Sequence, residues 1–237
     1  MTHPVPPAGS SPAAKRVTGL RRFAAPPPRT AAEPERCALC GTEVAEGHRH
    51  LVDTKDRSIA CACTACSLLF MHEGAAGRRD QLASEDSVSG RYRTVPDRVL
   101  LEPGTPLTDA EWAALAIPVG TAFFFHNSAL GQVVASYPSS AGVTECELDL
   151  SAWDEVAAAH PLLRALTPDV EAIIVTGTQP RETFLVPIDV CYGLAGALRL
   201  NWRGFDGGAE VRQIFTALVT DLRRRARTLQ PTSDGRA

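Results

Sequence analysis

At 237 residues, with 44% hydrophobic residues and a formal net charge of −3, the chain can fill one substantial core and a small module beside it. No run approaches the roughly 18 uninterrupted apolar residues of a transmembrane helix, and the N-terminus lacks the apolar stretch of a secretory signal, so a cytoplasmic protein is expected. Charge is unevenly placed, +4 over residues 1–36 and −7 over the remainder, and a body of that sign argues against non-specific nucleic-acid binding.

Residues 1–34 hold eight of the 18 prolines, including Pro26-Pro27-Pro28, together with small and basic residues. Such a stretch has too little to bury to offset the entropy of ordering, and it reads as a disordered leader. His3, near the terminal amine, is a weak metal-binding candidate within it.

Residues 35–72 contain five of the seven cysteines, as Cys37-Ala38-Leu39-Cys40 and Cys61-Ala62-Cys63-Thr64-Ala65-Cys66. In a reducing compartment, clustered thiols favour metal over disulfide, and paired C-x-x-C units supply four thiolates to one tetrahedral ion. The candidate ligands are Cys37, Cys40, Cys63 and Cys66. Cys61 is an alternative to Cys63, and His48 or His50 is an alternative fourth ligand in a three-cysteine, one-histidine site. Zinc is the favoured metal, because a module this small needs a staple; iron in a rubredoxin-type site is the alternative. Between the cysteine pairs, His48–Val52 and Ser58–Cys63 read as strands joined by a turn over Asp53–Arg57, and Thr64–Phe70 reads as a helix. Knuckle, hairpin and helix in this order predict a treble-clef-like module.

Residues 73–98 read as an irregular connector carrying Arg78, Arg79, Arg91, Arg93 and Arg98, placed either to bridge the flanking domains, to grip an anion or simply to face solvent. Residues 99–230 read as an α+β domain with a mixed or antiparallel sheet and packed helices, and 231–237 as a disordered tail. Thr108-Asp109-Ala110-Glu111 is a capping box opening a short helix. Strands are expected at Val119–His126, Gly131–Tyr137, Thr144–Leu150, Val170–Thr176, Thr183–Val186 and Ala197–Arg203. Ser151 is expected to cap a helix that ends or kinks at Pro161. The last helix shows Val211, Ile214, Phe215, Leu218, Val219 and Leu222 on one stripe.

Other chemistry-bearing residues find no partners in the sequence. His126 ends a strand, Cys146 reads as a core thiol, and Cys191 lacks an assignable His/Asn pair. Gly204–Gly208 precedes the last helix, where Asp206 would repel a phosphate. Phosphate-binding loops, zinc-protease helices and nucleophile elbows are all absent from the sequence, which favours a non-enzymatic protein.

The runs Cys37–Glu43, His48–Asp53, Cys61–Phe70, Gly90–Arg98, Ile117–Phe125, Leu185–Asp189 and Trp202–Gly204 resemble an uncharacterised, mainly actinobacterial family often encoded beside [NiFe]-hydrogenase genes. The resemblance covers roughly residues 35–228 and carries no established activity. It implies assembly, maturation or electron connection of a hydrogenase, with a hydrogenase subunit or maturation factor as the protein partner.

Overall fold

The computed structural model describes residues 34–70, 91–102, 104, 106–177 and 180–229. The expectations for the leader, the tail, His3, Arg78 and Arg79 lie outside these residues.

The first sheet is built around the cysteine-rich hairpin. Strands β1 (Arg49–Asp53) and β2 (Ser58–Ala62) pair antiparallel, with His50 opposite Cys61. A short helix, α1 (Thr64–Leu68), follows. The stretch read as wholly irregular supplies the third strand instead. Strand β3 (Tyr92–Thr94) pairs antiparallel with β1, giving the order β2-β1-β3. Its three residues are too few for alternation to register.

The second sheet has seven strands: β4 (Leu100–Leu101), β5 (Ala122–Asn127), β6 (Gln132–Ser139), β7 (Gly142–Cys146), β8 (Glu171–Thr176), β9 (Glu182–Pro187) and β10 (Arg227–Thr228). Their spatial order is β10-β4-β9-β8-β5-β6-β7, antiparallel except where β10 runs parallel to β4. The whole is a mixed α+β architecture with six helices among the described residues.

Both faces of the sheet are covered, which is why β8 reads as a continuous apolar run. Ile173 and Val175 point to one face, where they meet Trp112 of α2 (Asp109–Ala114), Trp153 and Val156 of α3 (Leu150–Ala159), and Leu162 of α4 (Pro161–Arg164). Ala172 and Ile174 point to the other, against Leu194 and Leu198 of α5 (Ile188–Asn201) and Val211 and Leu222 of α6 (Gly208–Arg225). Val52 of the hairpin joins this second core. Phe124, Ile173, Ile174 and Phe184 are fully buried, and each such side chain contributes about 1.5–3 kcal/mol by leaving water.

Three expectations are corrected here. The segment Ala197–Arg203 is not a strand: it forms the last turns of α5 and the residues beyond them. Its alternation was coincidental, since Leu198 is buried while Leu200 is 75% exposed, and the packing repeat is Leu194 to Leu198, one helical turn. Strand β7 stops at Cys146 and does not reach Leu150, which begins α3. Asp149, not Ser151, caps that helix, its carboxylate accepting the backbone N–H groups of Ser151 (2.9 Å) and Ala152 (3.2 Å). Pro161 then opens α4 at its first turn. The Thr108 capping box is present in full, with Glu111 accepting from the Thr108 backbone at 2.7 Å.

Candidate metal centre

The knuckle forms because Gly41 takes φ +73°, a left-handed conformation that glycine adopts without steric cost. That turn lets the Gly41 N–H reach Cys37 O at 2.8 Å and curls Cys37 and Cys40 toward one point. The second pair is set by the end of β2. Cys63 caps α1, its sulfur accepting the Cys66 N–H at 3.4 Å, and the turn of helix brings Cys66 beside it. The Ala38 N–H donates to Cys61 O at 2.8 Å, holding the knuckle against the hairpin.

The result is a group in which one sulfur each from Cys37, Cys40, Cys63 and Cys66 lies within 4.8 Å of the others. Sγ of Cys40 and Sγ of Cys63 are 3.8 Å apart. A tetrahedron with zinc–sulfur bonds of about 2.3 Å separates its sulfurs by about 3.8 Å, so the four sulfurs match a tetrathiolate ion in number and the Cys40–Cys63 pair matches it in spacing. When bound, such an ion cross-links the knuckle to the hairpin and helix. Cys37 is buried and Cys40 exposed, so the group sits with one edge toward solvent.

Electrostatics in the group are polarised. The backbone N–H of Cys63 chiefly, with those of Cys40 and Leu39, brings the Cys37 thiol down to about 6 against the opposing effect of burial. The Thr42 hydroxyl and N–H lower the Cys40 thiol. Cys66 is pushed up to about 12, first by the Cys63 sulfur and then by burial. Amide and hydroxyl donors thus favour negative charge at the knuckle, while the neighbouring sulfur and burial oppose it at Cys66.

Cys61, His48 and His50 do not join this group. One ligand atom from each of these three lies within 4.8 Å of the others, forming a second group on the hairpin. Its outer partner, Asp189 of α5, was not visible in sequence, because it lies 139 residues from His50. The folded register, which places His50 opposite Cys61, brings the group together.

The remaining candidates are dispersed. His126 is half-buried on β5, and Cys146 is half-buried with its thiol raised by burial. Cys191 has its thiol pushed up to about 12 by burial, with Asp189 adding to the effect, so it stays protonated and a poor nucleophile. Gly204–Gly208 forms the turn into α6, with the Asp206 carboxylate accepting the Gly208 N–H at 3.2 Å. The described connector arginines each meet a protein carboxylate: Arg91 meets Asp53 and Asp56, Arg93 meets Asp169, and Arg98 meets Glu171. A cavity of about 250 Å³ lies between the hairpin and the larger sheet, lined by Val52, Arg57, Phe123, Phe125, Ile188 and Tyr192 among others. Tyr192 closes one side, its hydroxyl donating to Arg57 O at 2.7 Å.

The hairpin turn is held by Asp53. Its Oδ1 accepts from the N–H groups of Lys55 (3.1 Å) and Asp56 (3.3 Å), and its Oδ2 accepts from Arg91 Nε at 2.7 Å. The Arg91 guanidinium chiefly holds the Asp53 carboxyl below the usual carboxylate range. A lowered folded-state pKa stabilises the fold above the unfolded carboxylate pKa, and that stabilisation is lost as pH falls through the folded one. Asp53→Asn is therefore expected to lower the urea midpoint most at neutral pH, with the gap to wild type closing in acid. A gap independent of pH would show that the charge on Asp53 does not matter.

No helix among the described residues is long and apolar enough to cross a membrane. No curated protein and no solved structure matches the chain. Residues 36–226, which include both candidate metal-binding groups and six of the seven strands of the larger sheet, match a family of unknown function, DUF5947, and the chain belongs to that family.

Proposed function

We propose that this protein is a non-enzymatic, cytoplasmic accessory factor of a [NiFe]-hydrogenase. A structural zinc on Cys37, Cys40, Cys63 and Cys66 fixes its treble-clef-like module, and the module with the α+β sheet presents a surface to a hydrogenase subunit or maturation factor. The observation carrying this reading is the convergence of four cysteine sulfurs, with Cys40 and Cys63 at 3.8 Å. Four protein ligands leave no open position for water or substrate, which favours a structural ion. The exposed apolar side chains Leu39, Leu68 and Leu69, close in sequence to those cysteines, support a role in protein contacts. The hydrogenase setting rests on the sequence resemblance.

A second reading, a rubredoxin-like iron carrier serving a hydrogenase, is favoured by the exposure of Cys40, which would give electrons a short route to the surface. Metal analysis and the visible spectrum separate the two. Colourless protein with one zinc at the four cysteines supports the structural reading; stoichiometric iron with strong visible absorbance replaces it. Affinity purification from the native host, under reducing conditions at low salt, is expected to recover hydrogenase or maturation proteins. Repeated failure to recover either sinks the proposed partnership.

A further inference from the structure

One face of the hairpin carries potential ligands that the tetrathiolate group does not use. His50 and Cys61 are direct cross-strand partners, and His48 lies two residues before His50, one pleat further along the same face. The rings of His48 and His50 have centroids 4.8 Å apart, and one ligand atom from each histidine and from Cys61 lies within 4.8 Å of the other two.

Both imidazoles are already oriented. Nδ1 of His50 is 2.9 Å from the Asp189 carboxylate, and Nδ1 of His48 is 3.0 Å from Ala45 O. An oxygen acceptor at Nδ1 places the ring proton there and leaves the lone pair on Nε2, the arrangement typical of metal-ligating histidines. For His48 the consequence is sharp. Its side chain is 8% exposed, and its Nε2 is buried without a hydrogen-bond partner among the described residues. A buried lone pair with nothing to accept costs about 1–3 kcal/mol, and such an atom in a native fold calls for a ligand.

We propose that His48, His50 and Cys61 form a second metal site, separate from the tetrathiolate, that takes a borderline divalent ion of the zinc class and keeps its fourth position open. Two neutral imidazoles and one thiolate suit zinc and its cobalt substitute. Binding displaces the Cys61 thiol proton to solvent and leaves the ion with one net positive charge. The open position therefore takes water, hydroxide or a small anion, whereas the four-thiolate group is closed and negatively charged. The Asp189 carboxylate positions His50 and ties the site to α5.

The test uses the full chain equilibrated with excess cobalt(II), freed of unbound metal and analysed for metal and protein content. Wild type is expected to hold two ions per chain, and Cys61→Ser and His48→Gln are each expected to hold one. The remaining ion should keep its tetrathiolate absorption. Cys61→Ser changes one atom, and His48→Gln removes a ring whose Nδ1 meets Ala45 O at 3.0 Å and the Glu35 carboxylate at 3.6 Å, so the pair, altering different contacts, guards against a folding artefact. Wild type stopping at one ion overturns the proposal. So does retention of two ions in both variants, which would place the second ion elsewhere, or loss of both ions from both variants, which would make the two groups one site.

Discussion

Cys66→Ser and Cys40→Ser are each expected to release the tetrathiolate metal and to unfold the hairpin locally, while Cys146→Ser keeps full metal content. The expected effect is large because the small sheet has only a slender core of its own. Its own fully buried apolar side chains are Leu51 and Ala62, and the knuckle reaches the hairpin through single backbone bonds such as Ala38 N–H to Cys61 O. In small zinc modules the ion supplies about 10–16 kcal/mol of apparent binding free energy at neutral pH, which is also folding free energy. Losing one of four ligands forfeits much of that, whereas Cys146 lies on β7 in the larger sheet. Metal analysis gives the first readout and amide exchange of β1 and β2 the second. Full metal retention by both Cys40→Ser and Cys66→Ser would show that these sulfurs are not the ligands.

Arg98→Ala is expected to lower global stability by about 3 kcal/mol without altering metal content. Glu171 is fully buried at the start of β8, and Arg98 meets both its oxygens, Nε to Oε1 at 2.5 Å and Nη2 to Oε2 at 2.7 Å. The Thr167 N–H adds a third donor at 3.0 Å. Removing one partner of a buried pair strands the other charge, a loss of about 3–5 kcal/mol. The Arg98 side chain is 44% exposed, so water screens part of the interaction and the lower end applies. For a chain of this size the melting temperature should fall by about 6–12 °C. Arg98→Lys, which keeps charge but loses the fork, should fall between the two. If Arg98→Ala melts with wild type, the pair is not a stabilising element.

What could be read from the residues alone follows from how local each signal is. The convergence of Cys37, Cys40, Cys63 and Cys66 was legible because each C-x-x-C pair is a local spacing written in the chain itself. The Thr108 capping box and the apolar stripe of α6 were legible for the same reason, since each is complete within one or two turns. Helix α5 was misread over its last turns. Gly193 and Gly196 dilute its apolar repeat, and Leu198, Leu200 and Trp202 happen to alternate. Strands β4 and β10 are two residues each and exist only through pairing with distant segments. The partition of the hairpin's ligands into two groups was invisible as well. Cys61 and Cys63 are two residues apart, and only the folded register and Asp189 send them to different neighbours.

The cavity beside Tyr192 has walls from both sheets, Val52 and Arg57 on one side and Phe123 and Phe125 on the other. It therefore exists only while the hairpin is docked on the larger body, and an ion bound at the knuckle as proposed would reinforce that docking. By thermodynamic reciprocity, a molecule filling that space would tighten the grip on the ion by the same factor as the ion tightens the grip on the molecule.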